Sequence, residues 1–215
     1  MRVFLVVLWI FTSSVAVGQV RADRWGVEAP DLLQTDPRGG YAKGGMWYCA
    51  PAALATGLVW MERRGFGGLL EASEEPLEAQ FGLVRALASA RYLDTDLTRG
   101  TGAGLVLEGL SRYLRDRGYG GHSLLYQGWR LHPRHHSAGE SRPSLGWIKR
   151  GVGDAESVVW LNLGWYAHDP REDTWRRLGG HWVTVVGYGV DAAGRADPEV
   201  LLLQDPAPRA GDAPA

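Results

Sequence analysis

The sequence predicts an α+β domain, with helices gathered in its amino-terminal half and a mainly antiparallel sheet in its carboxy-terminal half. Three observations carry this reading. Apolar residues recur at helical spacing in three segments between residues 49 and 116, and short β-branched and aromatic runs replace them after residue 122. Helices and strands do not alternate, as a doubly wound parallel sheet would require. At 215 residues and 45% hydrophobic content, the chain can build one sizeable core.

The opening residues, MRVFLVVLWIFTSSVAVGQV, combine a basic start, an apolar run from Val3 to Phe11, and the small residues Ala16 and Gly18 before Gln19. That is the pattern of a secretory leader over residues 1–18, cut near Gly18–Gln19, with residues 19–215 left as a single domain. The run is shorter than the roughly 20 residues of a membrane-spanning helix. The mature protein is therefore expected to be exported, periplasmic or extracellular, and to keep no membrane span.

The next segment, RADRWGVEAPDLLQTDPRGGYAKGG, has no sustained period and reads as an arm and loop rich in Gly, Pro and Asp. It leads into GGMWYCAPAALATGLVWM. There Ala53, Leu54, Gly57, Leu58 and Met61 share a helical stripe, and Pro51 is tolerated because it falls in the first turn. Leu77, Phe81, Val84, Leu87 and Ala88 mark a second helix, and Leu105, Leu107, Leu110, Tyr113 and Leu114 a third. The runs SLLYQGW, SVVWLNLGWY, HWVTVVGYGV and VLLLQD read as strands.

Composition excludes some functions. With 23 basic against 24 acidic side chains, the net charge of -1 provides no field to hold nucleic acid or an anionic membrane. Ten Trp and thirty Gly indicate aromatic packing joined by tight turns.

Cys49 is the single cysteine. Exported chains usually spend cysteines on disulfides, so a lone thiol is either a small buried hydrophobe or a reactive group. Its position favours chemistry, because a helix amino terminus and a nearby imidazolium both favour the thiolate. Of six histidines, His132, His135 and His136 lie in the polar loop RLHPRHHSAGESRP, and their spacing matches no common zinc pattern. No metal and no cofactor are expected. His168, before Asp-Pro, reads as a turn residue, and His122 follows Gly-Gly in a similar setting.

His181 differs. It is expected to open a strand after two glycines that permit close approach, sharing a face with Val183 and Val185. Asp205 precedes a proline at the end of the next strand. A regular hairpin centred on residue 193, inside the turn-like DAAGR, would set Asp205 directly opposite His181.

Cys49, His181 and Asp205 thus fall in the order of a papain-like triad. The motifs WYCAPAALATGLVWM, GGHWVTVVGYG and LLLQDPAPRAG resemble those of the bacteriocin-processing cysteine peptidases and their exported stand-alone relatives, in the papain-like superfamily. YLDTDLTRGTGAGLVLEGLSRYLRDRGY is similar to their middle helices, so the resemblance covers most of residues 31–211. It implies a papain-like fold with Cys49 as nucleophile, His181 as base and then general acid, and Asp205 as the group orienting His181. It also implies further sheet after Asp205.

Two positions depart from that pattern. Ala50 stands where the family has Gly, and Lys43 where an oxyanion-donating Gln is common. Gln34, farther upstream, either reaches the same point or is an ordinary loop residue. The implied activity is peptide hydrolysis through a thioester, with a peptide or protein as substrate. A peptide-binding module without turnover, or another thiol hydrolase or amidase on the same fold, are the competing readings. Trp47, Tyr48, Trp165 and Trp182 are either cleft-lining or core residues.

Overall fold

In the computed structural model, residues 2–9, 29–190 and 196–208 are described, with backbone alone for 2–9, 190, 196 and 198. Helix α1 (Cys49–Arg63) starts at the thiol and carries Pro51 in its first turn, where no intrahelical donor is needed. From Ala50 to Met61 it is buried at every position. A helix apolar all round must be covered all round. Helix α2 (Pro76–Ala88) packs on α1, and α3 (Ala103–Asp116) packs on α2. Leu77 and Leu105, expected on the apolar stripes, are instead exposed at 38% and 47%. Each lies in the first turn of its helix.

Strand β1 comprises Arg2–Trp9, β2 Ser123–Gln127, β3 Ser157–Asp169, β4 Thr174–Val190 and β5 Ala196–Gln204. The sheet order is β2-β1-β3-β4-β5, and every neighbouring pair is antiparallel. The α+β class and the helical amino-terminal half are as the sequence indicates. A fourth helix, α4 (Leu145–Gly153), adds to the three that the sequence indicates. Its apolar Ile148 and Val152 bury one narrow stripe, while Ser144 caps its start by accepting from the Trp147 N–H at 3.1 Å. The sequence does hold that cap, in SLGW, but so short a stripe gives little periodic signal.

Helix α1 is locked to the sheet through one carbonyl. Trp160 Nε1 and Thr184 Oγ1, neighbours on β3 and β4, both donate to Ala53 O, at 2.9 and 2.7 Å. Gly57 makes that approach possible: a Cβ there would lie 2.5 Å from Val158 Cγ1 and 2.6 Å from Trp160 Cζ2. Residues 157–164 of β3 and 181–187 of β4 are buried at consecutive positions, so this central part of the sheet is covered on both faces.

Strand β4 starts at Thr174, not at His181. The strand is longer because TWRRLGG continues the hairpin with β3, where Asp169 pairs with Thr174. The glycines permit this: the ladder is irregular between Trp165 and Tyr166, opposite Gly179 and Arg177. The apolar segment expected to act as a leader contributes Arg2–Trp9 as β1, and the expected cut at Gly18–Gln19 lies outside the described residues.

Candidate active site

Cys49 is the first residue of α1, with Tyr48 as its N-cap. Tyr48 is held in place on two sides: its N–H donates to Gly45 O at 2.9 Å, and its ring stacks on Tyr41 with centroids 5.2 Å apart. The first intrahelical bond from this end runs from Ala52 N–H to Tyr48 O, at 3.0 Å. Pro51 has no N–H, so the backbone donors of Cys49 and Ala50 are the two that precede this bond. They make the helix start a site for developing negative charge. Cys49 itself is half-buried.

His181 is buried, and its Nε2 pairs with Asp205 Oδ1 at 2.6 Å. With Nε2 engaged by Asp205, Nδ1 is the ring nitrogen left for a second partner, and Cys49 is near enough to influence the charge of the ring. Burial opposes a positive charge here, but the hydrogen bond to Asp205 and the influence of Cys49 overcome it and raise the His181 pKa to about 9. Asp205 Oδ1 accepts a second bond from the Ala207 N–H at 2.9 Å, which fixes the carboxylate after β5 ends.

The expected register is corrected by the structure, while the pairing survives. Val190 pairs with Ala196, as a hairpin centred on residue 193 requires, and residues 191–195 lie outside the described set. Irregularities between Tyr188 and Gly189 and between Val185 and Gly187 then shift the ladder. Thr184 ends up opposite Gln204 and Val185 opposite Leu203, so continuing the ladder sets Asp205 opposite Val183, two residues from His181. A slip of one would have sent the carboxylate to the other face. A slip of two keeps it on the face of His181 as a diagonal neighbour, within side-chain reach.

Gln34 joins both halves of this arrangement. Its backbone N–H donates to Pro206 O at 2.8 Å, beside Asp205, and its side-chain Nε2 donates to Gly45 O at 3.1 Å and Met46 O at 2.9 Å, just before Cys49. Gln34 is buried, and its Oε1 has no hydrogen-bond partner. Contact is so close that a Cβ on Gly45, whose φ is +73°, would fall 1.6 Å from Gln34 O. Only glycine fits there. Lys43, the residue standing six before the thiol, is exposed in a left-handed conformation at φ 50° and points to no donor role.

Of the aromatic residues near the triad, Trp182 is core: its indole N–H donates to Thr101 O at 3.0 Å and anchors β4 to the loop before α3. Tyr48 is likewise buried. Trp165 is 44% exposed and Leu178 57% exposed, on the stretch of the β3–β4 hairpin leading away from His181. Trp47 is half-buried.

The remaining histidines sit apart from the triad. His122 bridges Ser111 Oγ at 2.8 Å and Tyr119 O at 2.6 Å, and His168 meets Asp173 across the hairpin end at 2.9 Å while stacking on Trp175. Both are local ties. No family model, curated protein or solved structure matches this chain.

Proposed function

We propose that the protein is an exported papain-like cysteine peptidase that hydrolyses peptide bonds through Cys49, His181 and Asp205. The observation that carries this reading is the buried His181, bonded through Nε2 to Asp205 at 2.6 Å, with its charge influenced by Cys49 at the start of α1. The reading is further supported by the motifs around these residues, which resemble those of the bacteriocin-processing peptidases.

In this mechanism the Cys49 thiol gives its proton to His181, and the sulfur attacks the peptide carbonyl carbon. The carbonyl oxygen takes up the electron pair and is met by the N–H donors at the helix start. His181 then returns the proton to the departing amine as the C–N bond breaks, leaving a thioester. Water, deprotonated by His181, cleaves the thioester and restores the thiol. Asp205 keeps the ring oriented throughout. Trp165 and Leu178 offer an apolar wall on the His181 side for substrate side chains.

The site can be tested through its pH dependence. Because the His181 pKa is raised to about 9, above its ordinary value, the protonated ring is favoured in the folded state. Its contribution to stability is complete below about pH 6.5 and is lost as pH rises through the folded value. Hydrolysis is expected to decline along an alkaline limb near pH 9. Asp205→Ala removes a bond that raises the pKa and should move that limb down by about a unit or more, whereas Asp205→Asn, which retains an accepting oxygen, should keep more activity than the alanine variant. Alkylation of Cys49 by iodoacetamide at pH 6 should be at least about tenfold slower in His181→Ala. A thiol that reacts only after denaturation would restore the buried-hydrophobe reading.

A peptide-binding module without turnover is the second reading. It is favoured by the Gln34 amide, whose two protons are engaged by Gly45 O and Met46 O, and by Ala50 beside the nucleophile. Binding of library peptides with no cleavage of any would decide for it. Export rests on the leader pattern alone. Amino-terminal sequencing of secreted protein should begin near Gln19, and a secreted chain that retains Arg2–Trp9 would make this segment a strand of the working enzyme.

A further inference from the structure

The loop after β2 returns to the flank of α3, far along the chain from the triad residues, and brings three metal-competent side chains together. Glu108 of α3 and His135 and His136 of the loop each direct one ligand atom into a cluster whose members all lie within 4.8 Å of one another. His135 Nε2 is 3.4 Å from Glu108 Oε1. Ligands bound about 2.0–2.1 Å from a tetrahedral zinc ion stand about 3.3–3.4 Å apart, so this edge already has the required length.

His136 supplies the second, independent indication. It is 7% exposed, its Nδ1 is bonded to Leu124 O at 3.0 Å, and its Nε2 is buried without any hydrogen-bond partner. A buried imidazole normally uses both nitrogens, so an orphaned one calls for an explanation. A ring that donates through one nitrogen to a backbone carbonyl and keeps the other bare has the form of a metal-ligating histidine with its orienting partner.

We infer that Glu108, His135 and His136 form a binding site for a divalent first-row cation, best matched by Zn²⁺, with a fourth position left for water. Two imidazoles and one carboxylate suit zinc better than the all-oxygen cations Mg²⁺ and Ca²⁺. His136 is fixed in advance by Leu124. His135 is exposed and Glu108 is half-buried, so both can close the remaining distance. The bound ion would clamp the 134–136 turn onto α3. The spacing of the histidines alone does not reveal such a site, because the third ligand comes from a helix 27 residues earlier and resembles any other surface glutamate.

The test is Zn²⁺ titration by calorimetry on untagged protein. It is run in wild type and in Cys49→Ser, since a thiol beside an imidazole and a carboxylate is itself a zinc-competent set. One equivalent is expected to bind in Cys49→Ser. Affinity should fall at least about tenfold in Glu108→Gln and in His135→Ala, whose side chains lie outside the core. Co²⁺ should give a visible tetrahedral spectrum in Cys49→Ser that is lost in His135→Ala, which reports on the ligand even if heats are small. No binding to Cys49→Ser, or equal affinity in the Glu108 and His135 variants, would overturn the site. The triad reading is untouched by either outcome, since none of these ligands belongs to it.

Discussion

Cys49→Ala is expected to lower kcat/KM for peptide hydrolysis by roughly four orders of magnitude or more, while leaving the fold and peptide binding in place. The size of the effect follows from the division of labour at the site. In the proposed mechanism sulfur is the atom that becomes bonded to the substrate, and His181 would have no proton to transfer without it. What would remain is the electrostatic effect of the helix start and the binding of the substrate, which alone give only modest acceleration over water. The side chain is half-buried and followed by the fully buried Ala50, so alanine at position 49 continues the helix without strain. Thermal unfolding should accordingly change little. Purified variant and wild type are compared on a peptide library, with product identified by mass. Equal cleavage would show that the thiol is not the nucleophile and that the activity belongs to another site or to a contaminant. Unchanged peptide affinity in the variant, measured without turnover, separates chemistry from binding.

The sequence makes the triad legible because each member is marked by something local. Cys49 is followed by a run of small and apolar residues with Pro51 in first-turn position, which forces a helix to start at the thiol. His181 belongs to β4 and Asp205 directly follows its antiparallel neighbour β5, so the parity of strand side chains makes their shared face predictable even though the register is not. The two ladder irregularities that shift Asp205 by two positions fall between Val185 and Gly187 and between Tyr188 and Gly189, and such bulges have no fixed sequence signature. Helix α4 escapes periodicity because it is short. Glu108 escapes because a ligand is defined by what lies opposite it in space, and the contact with His135 bridges two elements that no pattern links. The role of Gln34 is open in the sequence for a similar reason: ten residues of loop separate it from Gly45, and their path decides where its amide goes.

Gln34→Ala is expected to lower kcat by about 100-fold with KM nearly unchanged, since a donor to the oxyanion forms its bond mainly in the transition state. The amide lies in the right neighbourhood, tied by its backbone to Pro206 beside Asp205 and by its side chain to Gly45 and Met46 just before Cys49. As it stands, however, both protons of Nε2 rest on backbone carbonyls, so serving an oxyanion requires one to be released. The bond to Met46 O is the one to exchange, because it is only partly buried, whereas the bond to Gly45 O is buried. A purely structural tie would also reduce activity when cut, by letting the arm and the cysteine loop drift. Iodoacetamide distinguishes the two, because its displacement by sulfur creates no tetrahedral oxyanion. If Gln34 serves the oxyanion, the variant should alkylate Cys49 at the wild-type rate and still hydrolyse peptides about 100-fold more slowly. If it only holds the loop, alkylation and hydrolysis should fall together, with a lower Tm. An unchanged kcat would remove Gln34 from the catalytic site altogether and leave the Cys49 and Ala50 N–H groups as the oxyanion donors.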